Sequence, residues 1–147
     1  MNRKDLIDYK YLKIRINTYR ERYEEKFNNI TSTVTHLDGM PKGHNKPNYA
    51  LEEFIDNSNE LIKLYNEETQ KERDILDQLR MIENEKYRTV LYLRYIVYPL
   101  EKNPLEMTAS DMNYSYNEVC KFNGEALNEF DKLGEKLQDC IENHKTS

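Results

Sequence analysis

Apolar residues recur at Leu12, Ile16, Tyr19, Tyr23, Phe27, Ile30, Val34 and Leu37, in steps of three and four. That is the period of one face of an α-helix, sustained over about seven turns. The opposite face carries Arg15, Arg20, Glu21, Arg22, Glu24, Glu25 and Lys26, a solvated surface that needs no further role. Two glycines and two prolines between Asp38 and Asn48 then stop the helix, because Pro has no N–H to donate and Gly costs backbone entropy. A loop over 38–48 is expected, with Asn48 as N-cap and Tyr49 opening the next helix. A second stripe follows at Leu51, Phe54, Ile55, Ser58, Leu61, Ile62, Tyr65, Thr69, Ile75, Leu76, Leu79 and Ile82. Its middle, Glu67 to Asp74, is almost wholly polar, and is expected to project beyond its partner or to pack weakly there. Two amphipathic helices joined by so short a loop are expected to fold back as an antiparallel hairpin over residues 1–83. A parallel dimeric coiled coil is the alternative, and the Pro/Gly loop disfavours it.

Residues 84–147 form the second expected domain. After a short break at Glu83-Asn84 the pattern predicts a helix from Lys86 to Ile96. A connector, Val97 to Asn103, comes next, held by Pro99 and Pro104. A short helix over Leu105 to Met112 and a long one over Tyr116 to Ile141 complete an all-α fold. Ser115, with Glu118 three residues on, is a capping-box signature for the last helix. The short helix, its turn and the long helix fit a helix-turn-helix. Ala109 is the small contact, Met112 ends the first helix, and Asn113 suits a left-handed turn. Val119 and Phe122 face inward from the second helix. Thr108 departs from the apolar residue expected at its position.

Composition narrows the function. The chain has 147 residues, 33% of them charged, with twelve Tyr and no Trp. Disordered tracts seldom carry so many aromatics in periodic order. Cys120 and Cys140 lie twenty residues apart without a CxxC pair, so neither zinc nor redox chemistry is signalled. His36, His44 and His144 share no metal-ligand or catalytic spacing. Lys42 and Lys46 flank Gly43 without a phosphate-binding GxxxxGK[ST] arrangement. Carboxylate pairs such as Glu52 and Glu53 read as helix surface rather than acid and base, and the Tyr92, Tyr95 and Tyr98 cluster reads as core packing. No catalytic residue, metal or cofactor is therefore expected, and the chain is read as no enzyme. No apolar run approaches a membrane span, so a cytoplasmic protein without membrane contact is expected. The net charge of −5 argues against simple electrostatic adhesion to nucleic acid.

The segment Arg88-Thr89-Val90-Leu91-Tyr92-Leu93-Arg94-Tyr95-Ile96 precedes Leu105-Glu106-Met107-Thr108-Ala109-Ser110-Asp111-Met112-Asn113-Tyr114-Ser115, with Val119, Lys121, Ala126 and Leu127 beyond. Together they resemble the C-terminal domain of small regulators of Gram-positive phages and mobile islands, similar to the ArpU and RinA types and to sigma-factor region 4. The loop Gly39-Met40-Pro41-Lys42-Gly43 resembles the N-terminal half of one such phage family. The resemblance implies a role in transcribing phage or island genes through DNA, RNA polymerase or another regulatory protein. It places Ser115, Tyr116, Asn117, Glu118 and Lys121 on a recognition helix, where Asn117 pairs with adenine and Lys121 with guanine or phosphate. Lys86, Arg88, Arg94 and Lys102 are the candidate phosphate contacts, although Arg88 and Arg94 equally suit pairing with Glu on a neighbouring helix. From Leu105 to Glu142 three lysines face nine carboxylates, a balance of −6. Relatives of this kind are more basic here, and the acidity favours an alternative: a modulator that grips a basic partner protein, such as a regulator, the polymerase or a nuclease. A homodimer is expected in either case, since the tyrosine-rich stripes exceed what one hairpin must bury and two-fold proteins suit palindromic sites.

Overall fold

The computed structural model describes residues 1–37 and 46–146, with side chains described over 1–28 and 58–143. Among them are six α-helices and no strand: α1 (Arg3–Ile7), α2 (Tyr9–Leu37), α3 (Lys46–Arg80), α4 (Glu85–Leu91), α5 (Pro104–Met112) and α6 (Tyr116–Thr146). A π-helical segment, Tyr92–Val97, continues α4. The fold is all-helical. Of the loop expected over 38–48, residues 38–45 lie outside the described residues. α3 opens at Lys46, ahead of the expected cap at Asn48. Pro47 then falls in the first helical turn, where a missing N–H leaves no helical bond unmade.

α2 and α3 form an antiparallel pair in contact. Tyr9 Oη donates to Glu72 at 3.3 Å and Arg15 pairs with Glu68 at 3.3 Å, so advancing along α2 means retreating along α3. The polar middle of α3 is thus matched rather than projecting. Glu68 and Glu72 face polar partners on α2, which apolar periodicity does not register.

The chain divides into two compact units, Lys13–Gln70 and the pair of segments Met1–Leu12 and Lys71–Ser147. In the first, Ile16 and Leu61 are buried, with Tyr19, Tyr23 and Tyr65 half-buried beside them. In the second, Leu6, Tyr9, Leu12, Ile75, Leu79, Ile82, Val90, Leu91, Val119, Ala126 and Phe130 are all buried. Besides residues 84–147, this unit takes in the end of α3 and the first twelve residues.

The short helix α1 explains that reach. Asn2 accepts from the N–H groups of Lys4 and Asp5, and the Asp5 carboxylate accepts from Asn2 N–H, a reciprocal cap. α1 then packs on α6. Asp131 accepts from Arg3 twice, from its main-chain N–H at 2.7 Å and its Nε at 2.6 Å, and Asn128 accepts from the same guanidinium. The buried Gln78 amide donates to both the Met1 and the Phe130 carbonyls at 2.9 Å, tying α3, α6 and the N-terminal segment together. Gly134 makes this approach possible, since a Cβ there would sit 1.8 Å from the Met1 carbonyl oxygen. No helix of the described residues is long and apolar enough to cross a membrane.

Candidate functional site

Asn84 caps α4 by accepting from the Lys86 and Tyr87 N–H groups, and both α4 and α5 pack on α6. Val90 of α4, Ala109 of α5 and Val119 of α6 are buried against one another. Leu105, Met112, Tyr114 and Phe122 close around them. Ala109, the small residue of the three, is 6% exposed. Thr108 is fully buried, yet its hydroxyl donates to the Pro104 carbonyl at 2.8 Å. An internal acceptor therefore allows a polar residue at an apolar position.

α5 ends at Asn113, whose φ of 62° and ψ of 37° are left-handed. Among the described residues it is the only non-glycine with positive φ. Tyr114 N–H donates to the Ala109 carbonyl at 3.1 Å and Asn113 N–H to the Ser110 carbonyl at 3.3 Å, the two bonds of a Schellman end. Three residues, Asn113 to Ser115, separate α5 from α6, and Ser115 Oγ accepts from Glu118 N–H at 3.2 Å to open α6. That is one half of the expected capping box. Val119 and Phe122 turn inward, while Ser115, Tyr116, Asn117, Glu118 and Lys121 all lie exposed over the first turns of α6.

The cations nominated for phosphate divide into two kinds. Lys86 is exposed, with its ammonium 5.5 Å from the Tyr114 ring centre and 5.8 Å from that of Phe122, so it is seated beside the turn. Lys102 is exposed on the connector. Arg88 instead donates to the Ile82 carbonyl at 3.2 Å, closing the break between α3 and α4. Arg94 lies 4.8 Å over the Tyr95 ring. Among the described residues neither arginine pairs with a Glu, the alternative to phosphate contact weighed for them. Of the tyrosine cluster, Tyr95 is buried, Tyr98 is half-buried and Tyr92 is half exposed.

Acidic groups crowd the same region. Asp111 accepts from Tyr98 Oη and Glu125 from Tyr87 Oη. Each hydrogen bond, before any desolvation, holds its phenol above the usual tyrosine range. Tyr116 is raised as well, first by its hydrogen bond to Cys120 and more weakly by the Glu106 carboxylate. Phenols held protonated remain hydrogen-bond donors at neutral pH. No cluster of His, Cys, Asp and Glu that would hold a metal is present among the described residues. An open groove of about 400 Å³ in the Lys13–Gln70 unit is lined by Tyr19, Arg20, Tyr23, Leu61, Ile62, Tyr65 and Asn66. It gathers no carboxylate.

Asn113 and the residues around it were legible from the sequence. The aromatic seat of Lys86 was not, although Tyr114 and Phe122 eight residues apart on either side of a helix start are a usable signal. Comparison with family models, curated proteins and solved structures finds no match.

Proposed function

We propose that the chain is a transcriptional regulator of a phage or mobile genetic element, using α5 and α6 as a sigma region 4-like helix-turn-helix on promoter DNA or on RNA polymerase bound there. The observation that supports this most directly is the left-handed Asn113 beside the buried Ala109–Val119 contact. Ser115, Tyr116, Asn117, Glu118 and Lys121 are exposed over the first turns of α6, the part of a recognition helix that would meet base edges. Asn117 has the donor and acceptor to pair with adenine in the major groove, and Lys121 suits guanine or phosphate. Lys86 and Lys102, both exposed, would supply the phosphate contacts. With so few cations, binding is modest in strength and its salt dependence shallow.

Gel shifts against upstream fragments of the chain's own genetic element, at about 50 mM and about 200 mM salt, are the direct test. Lys86→Ala and Lys121→Ala are expected each to lower the salt slope by about one while weakening all sequences alike, and Asn117→Ala to relax preference at one adenine. Absence of any shift at low salt removes the DNA reading.

The balance of three lysines to nine carboxylates from Leu105 to Glu142 favours a second reading, a modulator whose acidic surface binds a basic partner protein. One stoichiometric protein partner captured without DNA would support it over the first.

A further inference from the structure

Lys86 is held in an uncommon way for a cation of this chain. Arg3, Arg15 and Arg80 each meet a carboxylate, and Arg88 is tied to the Ile82 carbonyl. No carboxylate pairs with the Lys86 ammonium among the described residues, although the sequence contains 27 of them. Two rings hold it instead, with the ammonium 5.5 Å from the centre of Tyr114 and 5.8 Å from that of Phe122. These rings meet edge to face, their centres 5.3 Å apart and their planes at 86°. Both are half-buried and pack against the Val90, Ala109 and Val119 cluster, so neither moves without disturbing that core. Tyr114 also follows the left-handed Asn113, and its N–H is bonded to the Ala109 carbonyl. The turn that joins α5 to α6 therefore fixes one of the two rings beside Lys86, and α6 itself carries the other.

The kind of seat decides what happens to the charge. A carboxylate would fix the ammonium equally well and would neutralise it. Aromatic faces attract the cation through their quadrupole and leave its charge whole. A lysine that roams in water loses rotamer freedom when it takes up an anion, whereas a seated one has lost much of it already. We propose that Tyr114 and Phe122 are positioning residues, which hold Lys86 as an uncompensated cation for one phosphodiester of a DNA backbone lying against the start of α6. This rests on the DNA reading above and adds to it the part played by the two rings. Lysine suits that ligand, because a compact point charge takes a phosphate oxygen without the forked geometry that arginine imposes.

Fluorescence anisotropy of the full chain with a labelled mixed-sequence DNA duplex, between about 50 and about 200 mM salt, reads a phosphate contact without any sequence requirement. Lys86→Gln should lower the salt slope by about one. Tyr114→Leu, which keeps apolar bulk and removes the ring, should weaken binding about two- to fivefold, and Tyr114→Phe should restore it. Tyr114→Leu added to Lys86→Gln should cost nothing further, because the ring acts through the ammonium. In the protein without DNA, NMR should find the Lys86 side-chain methylene protons upfield of ordinary lysine values, and closer to them in Tyr114→Leu. Circular dichroism reports whether Tyr114→Leu folds; Lys86→Gln, at an exposed position, carries the test if it does not. A wild type that binds, with its slope unchanged in Lys86→Gln or with the same loss from Tyr114→Leu whether or not Lys86 is present, overturns the proposal and leaves the DNA reading standing. Lys86 resonances at ordinary values overturn the seat on their own. A wild type that binds no duplex at about 50 mM salt removes the DNA reading, and the proposal with it, even where those resonances are shifted.

Discussion

Gly124 and Gly134 occupy one helix and differ in what a methyl group would meet. Nothing lies within 4 Å of a Cβ at Gly124, whereas at Gly134 it collides with the Met1 carbonyl oxygen. Gly124→Ala should therefore stabilise the chain by about 0.5–1 kcal/mol through helix propensity alone. Gly134→Ala should destabilise it by about 1–3 kcal/mol, because the main chain of Met1 must shift and its bond from Gln78 is lost. Urea midpoints of the two variants, moving in opposite directions, check both. Tyr9 gives a pH prediction. Burial first, then the neighbouring Glu72 carboxylate, push its phenol from 10.0 up to about 12. A raised folded-state value means that this contribution is complete below pH 10 and fades as pH climbs towards 12. Tyr9→Phe should remove about 2 kcal/mol of that alkaline loss, seen as a flatter stability profile over the same window.

At the scale of elements, the turn after α5 depends on one backbone conformation. Asn113→Gly should be close to neutral, while Asn113→Val, β-branched in a left-handed site, should cost about 1–2 kcal/mol. Thermal melts compare the two. That turn was legible because αL tolerance, a small residue at Ala109 and inward spacing at Val119 are properties of residue type. The stripes of α2 and α3 were legible for the same reason: a 3.6-residue period is written in Leu12, Ile16 and Ile75, Leu79, Ile82. Other features depend on partners far along the chain. The polar stretch Glu67 to Asp74 looked unpartnered because Tyr9 and Arg15 supply hydroxyl and guanidinium, and polar pairing leaves no periodic trace. The break at Asp8 between α1 and α2 carries no Pro or Gly. The π-turn likewise has no breaker within Tyr92–Val97. The cap at Asn2 was readable in principle, from an Asn followed three residues later by Asp5.

At the scale of the whole molecule, charge and packing are distributed differently. The acidic surplus lies in the last third of the chain, where α6 also starts, so screening by salt bears most on that part of the molecule. The N-terminal clasp concerns the order in which the chain becomes available. Arg3 finds its carboxylate at Asp131, 128 positions later. At roughly 5–20 residues per second, a ribosome exposes Leu6 and Tyr9 some 6–25 seconds before α6 exists to cover them. The local α2–α3 pairing needs no such wait. The core of the second unit is thus completed only once α6 has been made, and until then Leu6 and Tyr9 are the residues on which a holding chaperone would act.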